Sequence, residues 1–180
     1  MVYVFLAEGF EEMEALGTVD ILRRAQINVQ TVSVIGNKVV TSSHGVSVCA
    51  DVLFDEIDTE TCEMMVLPGG LPGATNLADH VALCKALQAQ DVKHKYVAAI
   101  CAAPMVLGKI GILKNKRATC YPGFDKYLEE AEYTANLVEV DGHIITGKGP
   151  AAVSEFAFTL VRLLVGDAKE LEVRQGMLFS

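Results

Sequence analysis

Short unbroken apolar runs alternate along the chain with longer segments in which apolar residues recur every three or four positions. Val2–Ala7, Asn28–Val34, Met64–Leu67 and Tyr96–Ile100 have the length and composition of strands, and runs without polar alternation belong in a sheet covered on both faces. Gly36-Asn37-Lys38 turns into Val39–Ser42, and Val46–Cys49 alternates instead, as a half-buried strand does. The intervening Glu11–Ala25 carries Met13, Leu16, Val19 and Leu22 at helical spacing, with Asp20 and Arg24 four apart as an ion pair. Val81–Gln90 places Val81, Cys84 and Leu87 on one side, and Pro104–Ile110 reads as a helix with proline at its tolerated first turn. Further on, Val138–Val140 and His143–Thr146 flank Asp141-Gly142, which predicts a hairpin closed by a type I′ turn. Ala151–Val165 repeats Ala152, Phe156, Leu160 and Leu164 every fourth residue and stops at Gly166, and Ala168–Gln175 reads as a last helix. Strands alternating with helices predict an α/β sandwich around a mostly parallel sheet, with helices on both faces and one β-hairpin. No repeat, low-complexity tract or Pro/Gly/Ser-rich linker interrupts the 180 residues, so a single domain over 1–180 is expected.

Composition narrows the partners. Hydrophobic residues make up 51% of the chain, enough for a large core and too many for a disordered state. The 15 Lys and Arg against 23 Asp and Glu leave a net charge of −8. That surface repels phosphate, so neither nucleic acid nor an anionic membrane is expected as primary partner. No segment reaches the ~20 apolar residues of a membrane helix. The first residues, Met1 to Ala7 followed at once by Glu8, lack a basic flank and read as a buried strand rather than a signal peptide, so a cytoplasmic location is expected. Cys49, Cys62, Cys84, Cys101 and Cys120 are odd in number and widely spaced, with no C-x-x-C pair. They are expected as reduced thiols without a metal.

In open α/β sheets ligands bind beyond the carboxyl ends of the strands, and four such ends carry unusual residues: Glu8–Glu14, Pro68–Gly73, Cys101–Pro104 and Gly147–Pro150. Cys101 leaves a strand into Ala102-Ala103 ahead of a helix opened by Pro104. A nucleophile on such a bend needs small neighbours, and the nearby helix start favours thiolate. A small buried hydrophobe is the equally weighted alternative for Cys101. The run Leu67-Pro68-Gly69-Gly70-Leu71-Pro72-Gly73 offers amides for an oxyanion or anion hole with that of Ala102, or is only a turn that needs glycine. It lacks the G-x-G-x-x-G of a dinucleotide site. Gly142 to Gly149 nearly spells a P-loop, but Gly149 stands where Ser or Thr must bind magnesium, which rejects nucleotide hydrolysis. Glu11, Glu12 and Glu14 suit a helix start, and one of them is free to point into the crevice. His143 reads as an ordinary strand residue, and His80 and His94 as solvated.

Taken together, Leu6-Ala7-Glu8-Gly9-Phe10-Glu11-Glu12-Met13-Glu14, Val66-Leu67-Pro68-Gly69-Gly70, Ala98-Ala99-Ile100-Cys101-Ala102-Ala103-Pro104 and Thr146-Gly147-Lys148-Gly149-Pro150 resemble the ThiJ/PfpI family, in its DJ-one subgroup, over nearly the whole chain. The resemblance implies a flavodoxin-like, doubly wound sandwich and a homodimer without a cofactor. It puts Cys101 on a reactive, oxidation-prone cysteine and Glu14 on the acid that hydrogen-bonds to its sulfur. Gly70 and Ala102 fall on backbone donors of the adjoining anion pocket. Glu11 and His44 fall near the pocket or the dimer contact, where His44 replaces an arginine, and Cys49 falls on a second cysteine near the dimer interface. Tyr121 departs from relatives that carry histidine there, which argues against a Cys–His dyad.

A thiolate beside a carboxylate is like-charge repulsion, so the pair works only by sharing one proton, thiolate on Cys101 and neutral acid on Glu14. What the resemblance implies is a glyoxalase or deglycase acting on a small aldehyde or dicarbonyl. The alternative is a non-enzymatic oxidative-stress sensor or chaperone in which Cys101 becomes a sulfinic acid. Thiazole monophosphate biosynthesis and intracellular proteolysis are minor readings. The first helix, with Met13, Gly17 and Asp20, offers a flat face for a dimer, although packing within the chain explains Met13 equally well.

Overall fold

The first strand, β1 (Val2–Leu6), is buried along its whole length and has a parallel neighbour on each side. The computed structural model describes residues 1–179, and its elements follow in the order α1 (Glu12–Arg24), β2 (Val29–Ser33), β3 (Val39–Thr41), β4 (Ser47–Cys49), β5 (Val52–Leu53), β6 (Met64–Leu67), α2 (Gly73–Asp79), α3 (Val81–Val92), β7 (Tyr96–Ile100), α4 (Pro104–Lys109), β8 (Arg117–Ala118), β9 (Glu132–Tyr133), β10 (Val138–Asp141), β11 (Ile144–Gly147), α5 (Val153–Val165) and α6 (Asp167–Gly176). The main sheet runs β10-β11-β7-β6-β1-β2-β5, parallel except for β10 against β11. From β1 the chain steps one way to β2 and the other way to β6 and β7. Right-handed crossovers then put α1 and the α2–α3 pair on opposite faces. α5 packs on α1, and α6 on α5, while α2 touches both α3 and α4. The α/β sandwich expected from the run pattern is the fold observed, doubly wound as the resemblance implies.

The buried strands are those whose sequences lack alternation: Val2, Val4, Phe5, Leu6, Met64, Met65, Leu67 and Val97 to Ile100 have no exposed surface. Phe156 and Leu160 of α5 cover the sheet, fully buried as their spacing predicts. α1 differs from its expected stripe. Met13 is 61% exposed and Leu16 lies at the surface, whereas Glu14, Ala15, Thr18, Val19, Ile21 and Leu22 face inward. The buried face is displaced because it begins on an acid, which a hydrophobic pattern cannot register. Gly17, expected on an open face, lies against α5, since a Cβ there would meet Val153 Cγ1 at 2.7 Å. In α3 the inward residues are Leu83, Leu87 and Gln90, while Val81 is 66% exposed.

Other departures are local. The β10–β11 hairpin pairs Asp141 with Ile144, so its two-residue loop is Gly142-His143 with a positive φ at Gly142 alone. That is the type II′ pattern rather than I′. His143 is therefore a turn residue, and its Nε2 lies 2.7 Å from Asp91 Oδ1 of α3. His80 is not simply solvated: its Nδ1 accepts from Leu83 N at 3.1 Å to cap α3, and its ring meets Phe54 edge-on. A short 3₁₀ turn, Pro150–Ala152, precedes α5 where an unbroken helix was expected. The segments β5, α2, β8 and β9 had no signal in the apolar pattern, being short or polar. The Asp91–His143 contact ties the hairpin to α3 at the end of β7 away from Cys101. Asp91→Ala is accordingly expected to lower stability by about 1 kcal/mol in urea unfolding while leaving Cys101 alkylation rates unchanged.

Candidate active site

Three strand ends converge where the strand order reverses, beyond the carboxyl ends of β1, β6 and β7, the usual place for a ligand crevice in a doubly wound sheet. After β1 the chain turns through Gly9, and Glu11 caps α1 by accepting from Glu14 N at 2.7 Å. This fixes the start of α1 so that Glu14 points under the sheet's edge, 1% exposed. After β6, Gly69 donates its N–H to Glu14 Oε2 at 2.8 Å, and its carbonyl accepts from Glu11 N at 2.9 Å. After β7, Cys101 adopts φ +64°, a left-handed conformation that bulky residues avoid. The bend is held from both sides: Cys101 N donates to Gly147 O, and its carbonyl accepts from Tyr121 N at 2.8 Å.

Close approach explains the glycines. A Cβ on Gly69 would sit 2.7 Å from both Cys101 Cβ and Glu14 Oε2. On Gly70 (φ +89°) it would sit 2.5 Å from Glu11 N. The two-glycine turn thus serves more than chain reversal, because no larger residue lets the three strand ends meet.

The electrostatics centre on one carboxyl and one thiol. Burial pushes the Glu14 carboxyl up to about 7, against smaller opposing effects from the Cys101 thiol within hydrogen-bonding reach and the Gly69 amide. Burial, then the neighbouring Glu14 charge, raises the Cys101 thiol above its ordinary range, although the amides of Ala102 and Gly70 face the sulfur and act to lower it. The thiol is therefore not lowered by the helix start that follows it. That helix is only six residues long and begins three residues later, so its dipole is weak. Both groups resist ionising together, and between the two proton losses the pair holds a single negative charge. Glu14 Oε1 is buried and makes no hydrogen bond among the described residues.

Above the pair opens a cleft of about 320 Å³ lined by Glu11, Ser43, His44, Gly70, Leu71, Cys101, Ala102, Tyr121, Phe124 and Pro150. Cys101 is 8% exposed and lines this opening. The lining includes every candidate residue except Glu14, which lies beneath it. His44 arrives on the β3–β4 hairpin, which is tethered to the loop after β1 by Gly9 N to Thr41 O and Ser43 N to Phe10 O, both 2.8 Å. Its Nδ1 lies 2.9 Å from Glu12 Oε1, and this carboxylate raises the imidazole above its usual range. Glu11, Glu12 and His44 bring donor atoms within 4.8 Å of one another, and the His44–Glu12 contact already satisfies two of them. Ser43 and Phe124 carried no chemical signal and enter only through tertiary proximity; Gly69 and Leu71 lay within the glycine run, and Pro150 at the end of the Gly147–Pro150 turn. Cys49 is exposed on β4, away from this lining, and Cys62 and Cys120 are buried thiols pushed up to about 11 and about 12 by burial. Among the described residues no helix is long and apolar enough to cross a membrane.

Comparison with known proteins identifies relatives over nearly the whole chain. A family model described as the DJ-1/PfpI family matches residues 1–163. Protein DJ-1 homolog B of Arabidopsis thaliana is 39% identical over 174 residues, 96% of this chain, and the chain spans 40% of that protein's length. A Caenorhabditis elegans protein named glutathione-independent glyoxalase DJR-1.2 is 32% identical over 164 residues, covering 90% of this chain and 87% of that one. The solved structure of oxidised Toxoplasma gondii DJ-1 superposes with a TM-score of 0.95 at 34% identity, covering 99% of this chain and 98% of that one.

Proposed function

Because the chain belongs to the DJ-1/PfpI family, we propose that it is a cofactor-independent enzyme acting on small aldehydes or dicarbonyls, with Cys101 as nucleophile and Glu14 as general acid and base. The observation that carries this reading is the buried Glu14 carboxyl against the Cys101 thiol, with two amides facing the sulfur, at the floor of an open cleft. At rest the single negative charge of the pair lies on Glu14, whose carboxyl stands below the raised thiol, contrary to the expected thiolate beside a neutral acid. Attack proceeds through the form in which Glu14 has taken the thiol proton, a form that the two amides facing the sulfur stabilise.

Chemistry follows from where that proton goes. The Cys101 sulfur adds to the aldehyde carbon of a 2-oxoaldehyde, and the new alkoxide takes the proton from Glu14, giving a hemithioacetal and a carboxylate. Glu14, now a base, removes the proton from the same carbon to give an enediol, and returns a proton to the neighbouring carbon. The resulting thioester is cleaved by one water to a 2-hydroxy acid and the Cys101 thiol, and with Glu14 as carboxylate the pair again holds the single proton it began with. One carbon is oxidised and its neighbour reduced, so no external redox partner is consumed. General acid–base help of this kind contributes roughly 10²–10⁴-fold.

The name of the C. elegans relative supports a glutathione-independent glyoxalase activity as the family precedent. Methylglyoxal incubated with the purified protein in deuterium oxide, without added thiol, is expected to yield lactate carrying deuterium at carbon 2. Absence of lactate rejects the reading. A second reading, a redox sensor, draws support from the oxidised state named for the T. gondii relative and from the buried Glu14 Oε1, which has no hydrogen-bond partner among the described residues. It gains if lactate fails to form while mild peroxide converts Cys101 alone to sulfinic acid, observed by mass spectrometry. The chain assembles as a homodimer through the exposed Met13–Leu16 face of α1; sedimentation at micromolar concentration tests this.

A further inference from the structure

The cleft above Cys101 does not end at its own rim. A second hollow of about 210 Å³ lies beside it, and the two share Tyr121 and Pro150 as a common wall. Beyond those residues the second hollow is lined by Pro122, Leu137, Ala151 and Ala152, with Lys148 held at its side by donating to Ala135 O at 3.0 Å. Apart from Lys148 and the tyrosine hydroxyl, its side chains are hydrocarbon.

Tyr121 is well placed to act as the partition. Its backbone N–H is bonded to Cys101 O, so its position is tied to the nucleophile's own bend. Its ring lies against Gly149, where a Cβ would come within 3.2 Å of Cδ2, and meets Phe124 edge-on at 6.5 Å. The side chain is nevertheless 47% exposed, and its hydroxyl makes no hydrogen bond among the described residues. A ring held by packing on one face and by nothing at its tip divides space without serving a polar function.

We propose that Tyr121 is a specificity-determining residue: its ring closes off an apolar subsite and thereby restricts the Cys101 cleft to short carbonyl compounds. The identity of the occupant rests on the carbonyl chemistry proposed above. In its absence the hollow takes the apolar substituent, such as a phenyl group, of a carbonyl compound attached through Cys101. Hydrophobic pockets discriminate such groups by roughly 10–200-fold.

The test has a readout that does not need turnover. Alkylation rates at the Cys101 peptide are measured by mass spectrometry with iodoacetamide and with N-phenylmaleimide. Tyr121→Ala is expected to raise the rate ratio of bulky to small reagent at least tenfold, and Tyr121→Phe to keep the wild-type ratio. Adding Leu137→Trp to Tyr121→Ala, which refills the hollow, is expected to bring the ratio back. Should Tyr121→Ala melt early, Tyr121→Val takes its place with the same expectation. An equal gain for both reagents, or no reversal by Leu137→Trp, overturns the partition. In parallel, kcat/KM for phenylglyoxal over methylglyoxal is expected to shift the same way. A shifted alkylation ratio with no dicarbonyl turnover sinks the proposed activity and leaves the partition standing. Methylglyoxal turnover with an unmoved alkylation ratio sinks the partition alone.

Discussion

Glu14→Gln is expected to lower methylglyoxal turnover roughly 10²–10⁴-fold, the range of a lost general acid–base group. Glutamine has the shape of the buried acid and retains an oxygen to accept from Gly69 N, so the fold is retained. What it cannot do is hand a proton to the alkoxide and then take one from carbon. Cys101→Ala removes the nucleophile and abolishes turnover, so the two variants separate attack from proton transfer. Glu14→Gln also carries a stability signature. With the folded carboxyl at about 7 against an ordinary 4.5, the folded state binds a proton that the unfolded state has already released in between. The stabilisation is therefore complete below pH 4.5 and is lost as pH rises toward 7. It amounts to about 3 kcal/mol over that window. Urea unfolding at several pH values is expected to show the decline in wild type and its absence in Glu14→Gln. Parallel curves would mean that residue 14 is ionised throughout, and the shared proton would go with it.

The second large effect is structural. Gly70→Ala forces a Cβ to 2.5 Å from Glu11 N and 2.6 Å from Gly9 O, both backbone atoms that cannot swing aside, at a residue already at φ +89°. Left-handed strain costs about 1–2 kcal/mol and overpacking about 1–3 kcal/mol more. For a domain of this size a loss of that order lowers Tm by roughly 5–15 °C. Gly36→Ala provides the control: φ is +73° but nothing lies within 4 Å of the added atom, so only the conformational part remains. Calorimetry on the pair isolates the close approach. Because Gly70 also presents its amide to the Cys101 sulfur, Gly70→Ala is expected to slow Cys101 alkylation as well, whereas Gly36→Ala is not.

How far the chain could be read in advance varied with the kind of signal. Tyr96–Ile100 has the predicted limits, because a buried parallel strand needs an unbroken apolar run and the run ends at the bend. The acid that matters was legible as one of three at a helix start, yet the face of α1 was not. Met13 and Leu16 scored as core by hydrophobicity, and the inward position was held by Glu14, whose burial is tolerated because Gly69 and Cys101 meet it. His44 and Tyr121 were marked only by resemblance, since each reaches the cleft on a different segment from the nucleophile. Pro150 was marked only as the end of the Gly147–Pro150 turn, and Phe124 was not marked at all.

By itself, the order of apolar runs and helical periods determined the layered parallel sheet, and the small residues after β7 determined where a reactive thiol could stand. Both follow from local rules: which side chains a buried strand accepts, and how tightly a chain can turn. Only the tertiary structure decided the protonation balance of Cys101 and Glu14 and the walls of the cleft above them. Burial raises the thiol more than the amides lower it, and the cleft exists because segments far apart in sequence are brought within a few ångströms by the reversal of strand order. Neither desolvation nor long-range proximity is written in any one stretch of residues.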